Sequence, residues 1–179
     1  MKRSIDKGDV VHKIIVEGAD CTGKTTYAKM LAGSNKSLLH YGVHSELDKQ
    51  AQFMFFRSLM DLSAEIVFDR SPISEYVYSK YRGSKSWFTF IDIEKLIKQE
   101  YGNCKIYFLI PNKKLVKKIC GLTDQPSLVV DNIIDIYSDY LLLASFFKNY
   151  NTVHIIDTTE QLESAVTKLE KVNDNNLGL

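Results

Sequence analysis

Four short apolar runs punctuate the chain, His12 to Val16, Ala64 to Phe68, Lys105 to Ile110 and Val153 to Ile156, each bounded by turn-forming or polar residues and rich in Ile, Val, Phe or Tyr. Runs of this kind are how strands buried on both faces of a parallel sheet read. Ser37 to His40 is a fifth, shorter candidate. Between the runs, apolar positions recur at helical spacing over Lys24 to Leu31, Glu46 to Leu62, Ile91 to Tyr101, Leu115 to Cys120, Leu128 to Phe147 and Thr159 to Val172. Strand alternating with helix predicts a parallel sheet with right-handed crossovers and helices on both faces, a three-layer α/β domain.

No internal repeat, low-complexity tract or Pro/Gly-rich linker interrupts this alternation, so one domain over residues 1–179 is expected, with only the polar tail 173–179 irregular. A content of 45% hydrophobic and 25% charged residues suits one good-sized core. The net charge of +1 lacks the basic excess that non-specific binding to nucleic acid or a membrane surface requires, and points to a small anionic ligand held locally. Three cysteines, Cys21, Cys104 and Cys120, lack the paired spacing of a zinc or redox motif and fit a reducing, cytoplasmic location. No apolar run approaches the ~20 residues of a membrane span, and Met1 to Val10 lacks the apolar core of a secretory signal.

Chemistry concentrates first at Gly18-Ala19-Asp20-Cys21-Thr22-Gly23-Lys24-Thr25, a full match to G-x-x-x-x-G-K-[ST]. The match follows the apolar Ile14-Ile15-Val16 and precedes a helix-forming stretch from Thr26. Backbone N–H groups and a helix N-terminus therefore converge where phosphate oxygens would sit. Gly18 and Gly23 permit the tight path, Lys24 reaches the β- and γ-phosphates of ATP, and the Thr25 hydroxyl can ligate Mg²⁺. Residues Gly18 to Thr26 are the expected ATP-binding segment.

The stretch from Val16 to Thr26 resembles the E-G-x-D-x-x-G-K-[ST]-[ST] loop of thymidylate kinases, and the resemblance gives Asp20 a hydrogen bond to the acceptor's sugar 3′-hydroxyl. Asp69-Arg70-Ser71-Pro72-Ile73-Ser74-Glu75-Tyr76-Val77-Tyr78 resembles the D-R-x-x-x-S-x-x-x-[YF] segment of the same family. It implies Arg70 on the acceptor phosphate, Ser74 and Tyr78 beside the acceptor, and Asp69, at the carboxyl end of a strand, near the metal and phosphates. A weaker match places Phe53 to stack on thymine and Arg57, one helical turn later, to read its edge. By resemblance the chain is a P-loop kinase with a five-stranded sheet and a short lid over about 117–127, using ATP and Mg²⁺ to phosphorylate dTMP; small nucleotides are the expected partners, with a homodimer the one protein partnership considered. Lys24, Arg70 and Asp69 would be the catalytic residues.

The family's lid or loop normally carries an arginine for the transferring phosphoryl group, which this sequence lacks in both places. Lys117 and Lys118 are the nearest cations in the lid segment, and Arg82 is another candidate. The closest rival is a deoxyribonucleoside kinase, since Arg70-Ser71 followed by Ser74-Glu75 resembles the E-R-S-x-x-S-D segment of that family. A nucleoside's 5′-hydroxyl requires a general base near the end of the second strand. That strand ends Leu39-His40-Tyr41-Gly42, with Glu46 the first carboxylate beyond it, which favours a monophosphate acceptor. A nucleotide-binding regulatory module of low turnover is the third reading; no N-K-x-D guanine-reading segment accompanies it.

Overall fold

The computed structural model describes residues 13–42, 48–84, 88–98 and 104–177, with backbone only for Lys49 and for 171–177. Five strands, β1 (Lys13–Glu17), β2 (Ser37–His40), β3 (Ile66–Asp69), β4 (Cys104–Leu109) and β5 (Val153–Ile156), form one sheet in the order β2-β3-β1-β4-β5. Every pairing is parallel. The helices α1 (Lys24–Ala32), α2 (Lys49–Asp61), α3 (Pro72–Ser79), α4 (Phe90–Lys98), α5 (Lys113–Leu122), α6 (Ser127–Phe147) and α7 (Thr159–Leu177) make the connections and the closing element.

Strand periodicity divides the core in two. On β1 and β3, Ile15, Ile66 and Phe68 join Phe56, Ile73, Ile136 and Tyr140 on one side, while Ile14, Val16 and Val67 pack with Ala28 and Ala32 of α1 on the other. The result is the three-layer α/β domain predicted. β1 lies between β3 and β4, so the chain leaves it at the point where connections diverge to opposite halves of the sheet, the usual crevice for a ligand.

Several boundaries differ from those read off the sequence. α3 was not resolved by apolar spacing, because all of Pro72 to Ser79 except Tyr76 is buried and no polar face marks its period. Its start is built as a short polar segment dictates: Ser71 caps the N-terminus, accepting from the Ile73 N–H at 3.2 Å, and Pro72 stands at the first helical position. α7 stays helical to Leu177, so the tail expected to be irregular from Asn173 continues the helix; no Pro or Gly precedes Gly178 to stop it. Positions 117–127 cover the end of α5, the link 123–126 and the start of α6. His12, Glu46 and the expected helix end at 99–101 lie outside the described residues.

Candidate active site

The phosphate loop leaves β1 through Gly18, where φ is +148° and a Cβ would lie 2.9 Å from the Leu109 carbonyl oxygen of β4. Only glycine lets the loop pass this close to the neighbouring strand. Gly23 (φ +85°) is the residue before α1, so the loop turns directly into the helix N-terminus. Lys24 is buried, and its ammonium donates to the Ala19 carbonyl at 2.6 Å and lies 3.6 Å from Asp20 Oδ1. Burial, reinforced by the Arg70 cation, draws its pKa down to about 8 against the pull of Asp20, Asp69 and Glu17. Lys24 thus rests on its own loop.

Asp20 joins the loop to the second motif. The Arg70 guanidinium donates to Asp20 Oδ1. The Tyr78 hydroxyl donates to Oδ2 at 3.0 Å and accepts from the Asp20 N–H at 3.0 Å. Burial alone would raise the Asp20 carboxyl, but Lys24, Arg70 and the Tyr78 hydrogen bond outweigh it and hold the pKa below the ordinary value. Arg70 adopts φ +79°, a conformation that costs a non-glycine residue roughly 1–2 kcal/mol and turns its side chain off the end of β3 toward the loop. Its N–H donates to the Val16 carbonyl at 3.1 Å, and its guanidinium lies 5.2 Å above the Tyr78 ring.

Beneath this cluster lies Glu17, fully buried and unassigned by the sequence although it is the Glu of the loop motif. It accepts from Ser71 Oγ at 2.6 Å, Ser74 Oγ at 2.7 Å and Tyr140 Oη at 3.2 Å, tying β1 to α3 and α6. Burial raises its pKa, with the two serine hydrogen bonds opposing.

Thr25 and Asp69 face each other, the threonine hydroxyl donating to Asp69 Oδ2 at 2.7 Å; His40 Nδ1 lies 3.3 Å from the same oxygen. Asp69 Oδ1 is buried with no partner among the described residues. A hydroxyl and a carboxylate with an unused oxygen fit Mg²⁺, a hard cation that takes few protein ligands and fills its sphere with water and phosphate oxygens. Among the described residues no cluster of three or more His, Cys, Asp or Glu offers a full protein cage.

Asp20, Arg70, Ser74 and Tyr78 line one cavity of about 270 Å³ beside the loop, together with His40, Tyr41, Glu75 and Arg82. Arg82 pairs with the buried Glu75 carboxylate and brings a second guanidinium to the cavity wall. Phe53 and Arg57 are not among the lining residues. α2 turns Gln52, Phe56 and Met60 inward; Phe53 packs on the core, 6.3 Å from the Phe88 ring, and Arg57 points outward, 4.0 Å from Asp61. Lys117 is exposed, and Lys118 pairs with Glu170 of α7 at 2.7 Å. A larger, mostly apolar cavity of about 520 Å³ lies among Tyr76, Phe90, Leu142 and Phe146, with no loop residue in its lining.

No protein-family model matches the chain, and no curated protein does. Solved structures do share its fold. The YorR protein of Bacillus subtilis, in complex with phosphorylated GDP, superposes with a TM-score of 0.61 at 20% identity, covering 93% of this chain and 98% of that one. Thymidylate kinase of Candida albicans gives a TM-score of 0.57 at 18% identity, covering 92% of each chain. Deoxyadenosine kinase of M. mycoides with bound dCTP gives 0.53 at 15%, covering 93% and 98%. The chain therefore has the three-layer fold of P-loop nucleotide kinases, over nearly its whole length.

Proposed function

We propose that this chain is a magnesium-dependent kinase that moves the γ-phosphoryl of ATP onto a deoxynucleoside monophosphate. The observation that carries the reading is the meeting of Asp20, from the donor's phosphate loop, with Arg70, from the acceptor segment, at the wall of one cavity. Lys24 and the N–H groups before α1 would hold the donor phosphates, and Arg70 would clamp the acceptor phosphate with its planar fork. Thr25 and Asp69 would hold Mg²⁺, which supplies charge neutralisation at the phosphates. Arg82 is the candidate for the arginine missing from loop and lid, since it alone of the three cations considered lines the cavity. The resemblance implies dTMP as acceptor, and rests for that on the loop and the Asp69 segment, because Phe53 and Arg57 lie outside the cavity lining. Three free thiols agree with a reducing cytoplasmic setting, and no helix among the described residues is long and apolar enough to cross a membrane.

His40 gives the deoxyribonucleoside kinase reading a specific footing: its imidazole, hydrogen-bonded to Asp69, lines the cavity and would be the general base for a 5′-hydroxyl. ADP release measured with ATP, Mg²⁺ and each deoxynucleoside or deoxynucleoside monophosphate separates the two. Turnover of monophosphates alone is the expected result; turnover of nucleosides alone would transfer the assignment to the second reading.

A further inference from the structure

The turn from β3 into α3 ties three consecutive residues to three anchors. The Asp69 carbonyl accepts from the Tyr41 N–H at 3.0 Å, the Arg70 N–H donates to the Val16 carbonyl at 3.1 Å, and the Ser71 hydroxyl donates to Glu17 Oε1 at 2.6 Å. Arg70, in the middle, is the residue at φ +79°, a conformation that a residue with a side chain keeps only where its surroundings over-determine it. Val16 and Glu17 are neighbours on β1, so the strand that leads into the phosphate loop also grips the turn at the strained residue and just after it. Glu17 is itself fixed: it is fully buried, and its other oxygen accepts from Ser74 Oγ at 2.7 Å and Tyr140 Oη at 3.2 Å. The Asp20 pair holds the Arg70 guanidinium, not the backbone that aims it.

We propose that Glu17 is a positioning residue for the phosphate clamp: through Ser71 it keeps Arg70 in its left-handed conformation, and so keeps the guanidinium at the acceptor cavity. The inference rests on the nucleotide-kinase reading for what Arg70 binds, and deepens it by assigning the Glu of the loop motif to the acceptor side. Glu17 is absent from the cavity lining, so it acts through Arg70 and not on a ligand. A buried carboxylate needs hydrogen-bond donors, and two of its three here are hydroxyls from the segment that follows the clamp. Satisfying Glu17 and holding Arg70 are therefore one event. Without the carboxylate, Ser71 Oγ loses its partner and Arg70 returns to an ordinary negative φ, which turns its side chain away from the loop. With the binding conformation populated a tenth of the time or less, apparent affinity for a monophosphate falls by the same factor. Charge alone predicts the opposite sign. Glu17 is a negative group interacting with Arg70 and Lys24, and its removal as a charge would draw any phosphate in more strongly.

The test compares the parent with Glu17→Met, which keeps the length of the side chain and removes the carboxylate. Calorimetric titration with dTMP, dCMP, dAMP and dGMP, and separately with ATP and Mg²⁺, gives the affinities; crystal structures of the two ligand-free proteins give φ at Arg70. The monophosphate that the parent binds best is expected to bind the variant at least about tenfold more weakly, with ATP changed less than about threefold and φ at Arg70 negative. Equal weakening of both ligands, the mark of a merely structural carboxylate, overturns the proposal. So does unchanged or tighter binding of the monophosphate, the result expected of charge alone, or an Arg70 that keeps its positive φ. Should Glu17→Met not fold, Ser71→Ala, which cuts the link at the turn and leaves Glu17 its contacts with Ser74 and Tyr140, is read for the same split and the same angle. If the parent binds no monophosphate, the functional reading falls, and the Arg70 angle still decides this one.

Discussion

The Arg70 guanidinium donates to Asp20 Oδ1 across fifty positions of sequence. One carboxylate thereby holds two cations, Arg70 and Lys24, that would otherwise repel each other across the mouth of the cavity. Two positive charges and one negative leave the cluster net positive, and on the function proposed the ion pair would hold Arg70 in place before an acceptor arrives.

Replacing Asp20 with Asn keeps the size of the side chain and removes that shared counter-charge. Two largely buried cations then lose their partner, and stability of the ligand-free protein is expected to fall by about 1–3 kcal/mol. The acceptor KM is expected to rise at least about tenfold with the ATP KM changed far less, since the role proposed for the carboxylate is on the acceptor side. Thermal unfolding and steady-state kinetics check the two halves separately; an unchanged acceptor KM would remove Asp20 from the acceptor site.

Lys24 sets a pH dependence of opposite sense to that of a stabilising ion pair. Its folded pKa of about 8 lies below the ordinary 10.5, so between these values the unfolded chain binds more protons and stability rises with pH. Below pH 8 the buried ammonium costs the fold its full penalty, on the order of 3 kcal/mol. Lys24→Met is accordingly expected to abolish transfer yet unfold at a higher temperature than the parent at pH 7 without nucleotide. The advantage should fade as pH climbs from 8 toward 10.5. A variant less stable than the parent at pH 7 would show that the Ala19 hydrogen bond outweighs desolvation.

Asp69 is read as a metal ligand on its unpartnered Oδ1 and on the Thr25 hydroxyl beside it. Asp69→Asn is expected to raise the Mg²⁺ concentration for half-maximal turnover at least about tenfold, with partial recovery at high Mg²⁺. A Mg²⁺ titration that keeps its midpoint while maximal rate falls would make Asp69 a partner of His40 and Thr25 only.

Much of the site was legible because its chemistry is local in sequence. Gly18 to Thr25 contains in eight letters the turn, the cation and the hydroxyl, and β1 before it supplies the place. Arg70, Ser74 and Tyr78 likewise follow one strand end, and the cavity gathers all three with Asp20. Phe53 and Arg57 show the limit: spacing by four tells which residues share a helix face, not which face meets the core, and Gln52, Phe56 and Met60 take that side of α2. Tyr41 reaches the cavity from just beyond β2, where no motif marks it, whereas Glu75 stands within the Asp69 segment and Arg82 seven positions after it. Glu17 stood in the motif, but its role under Ser71 and Ser74 depends on α3, whose continuous burial hid its period.

The account's central claim is that donor and acceptor phosphates share this cleft and that the acceptor arrives already phosphorylated. Adenosine linked 5′ to 5′ through five phosphates to each deoxynucleoride's sugar in turn spans both sites of such an enzyme; the four-phosphate analogues suit a kinase whose acceptor is a bare hydroxyl. Calorimetric titration of both sets with Mg²⁺ is the direct measurement. A five-phosphate compound binding at least about 100-fold more tightly than ATP, and more tightly than its four-phosphate counterpart, is the result predicted. Tighter binding of the four-phosphate compound, or neither surpassing ATP, would contradict it.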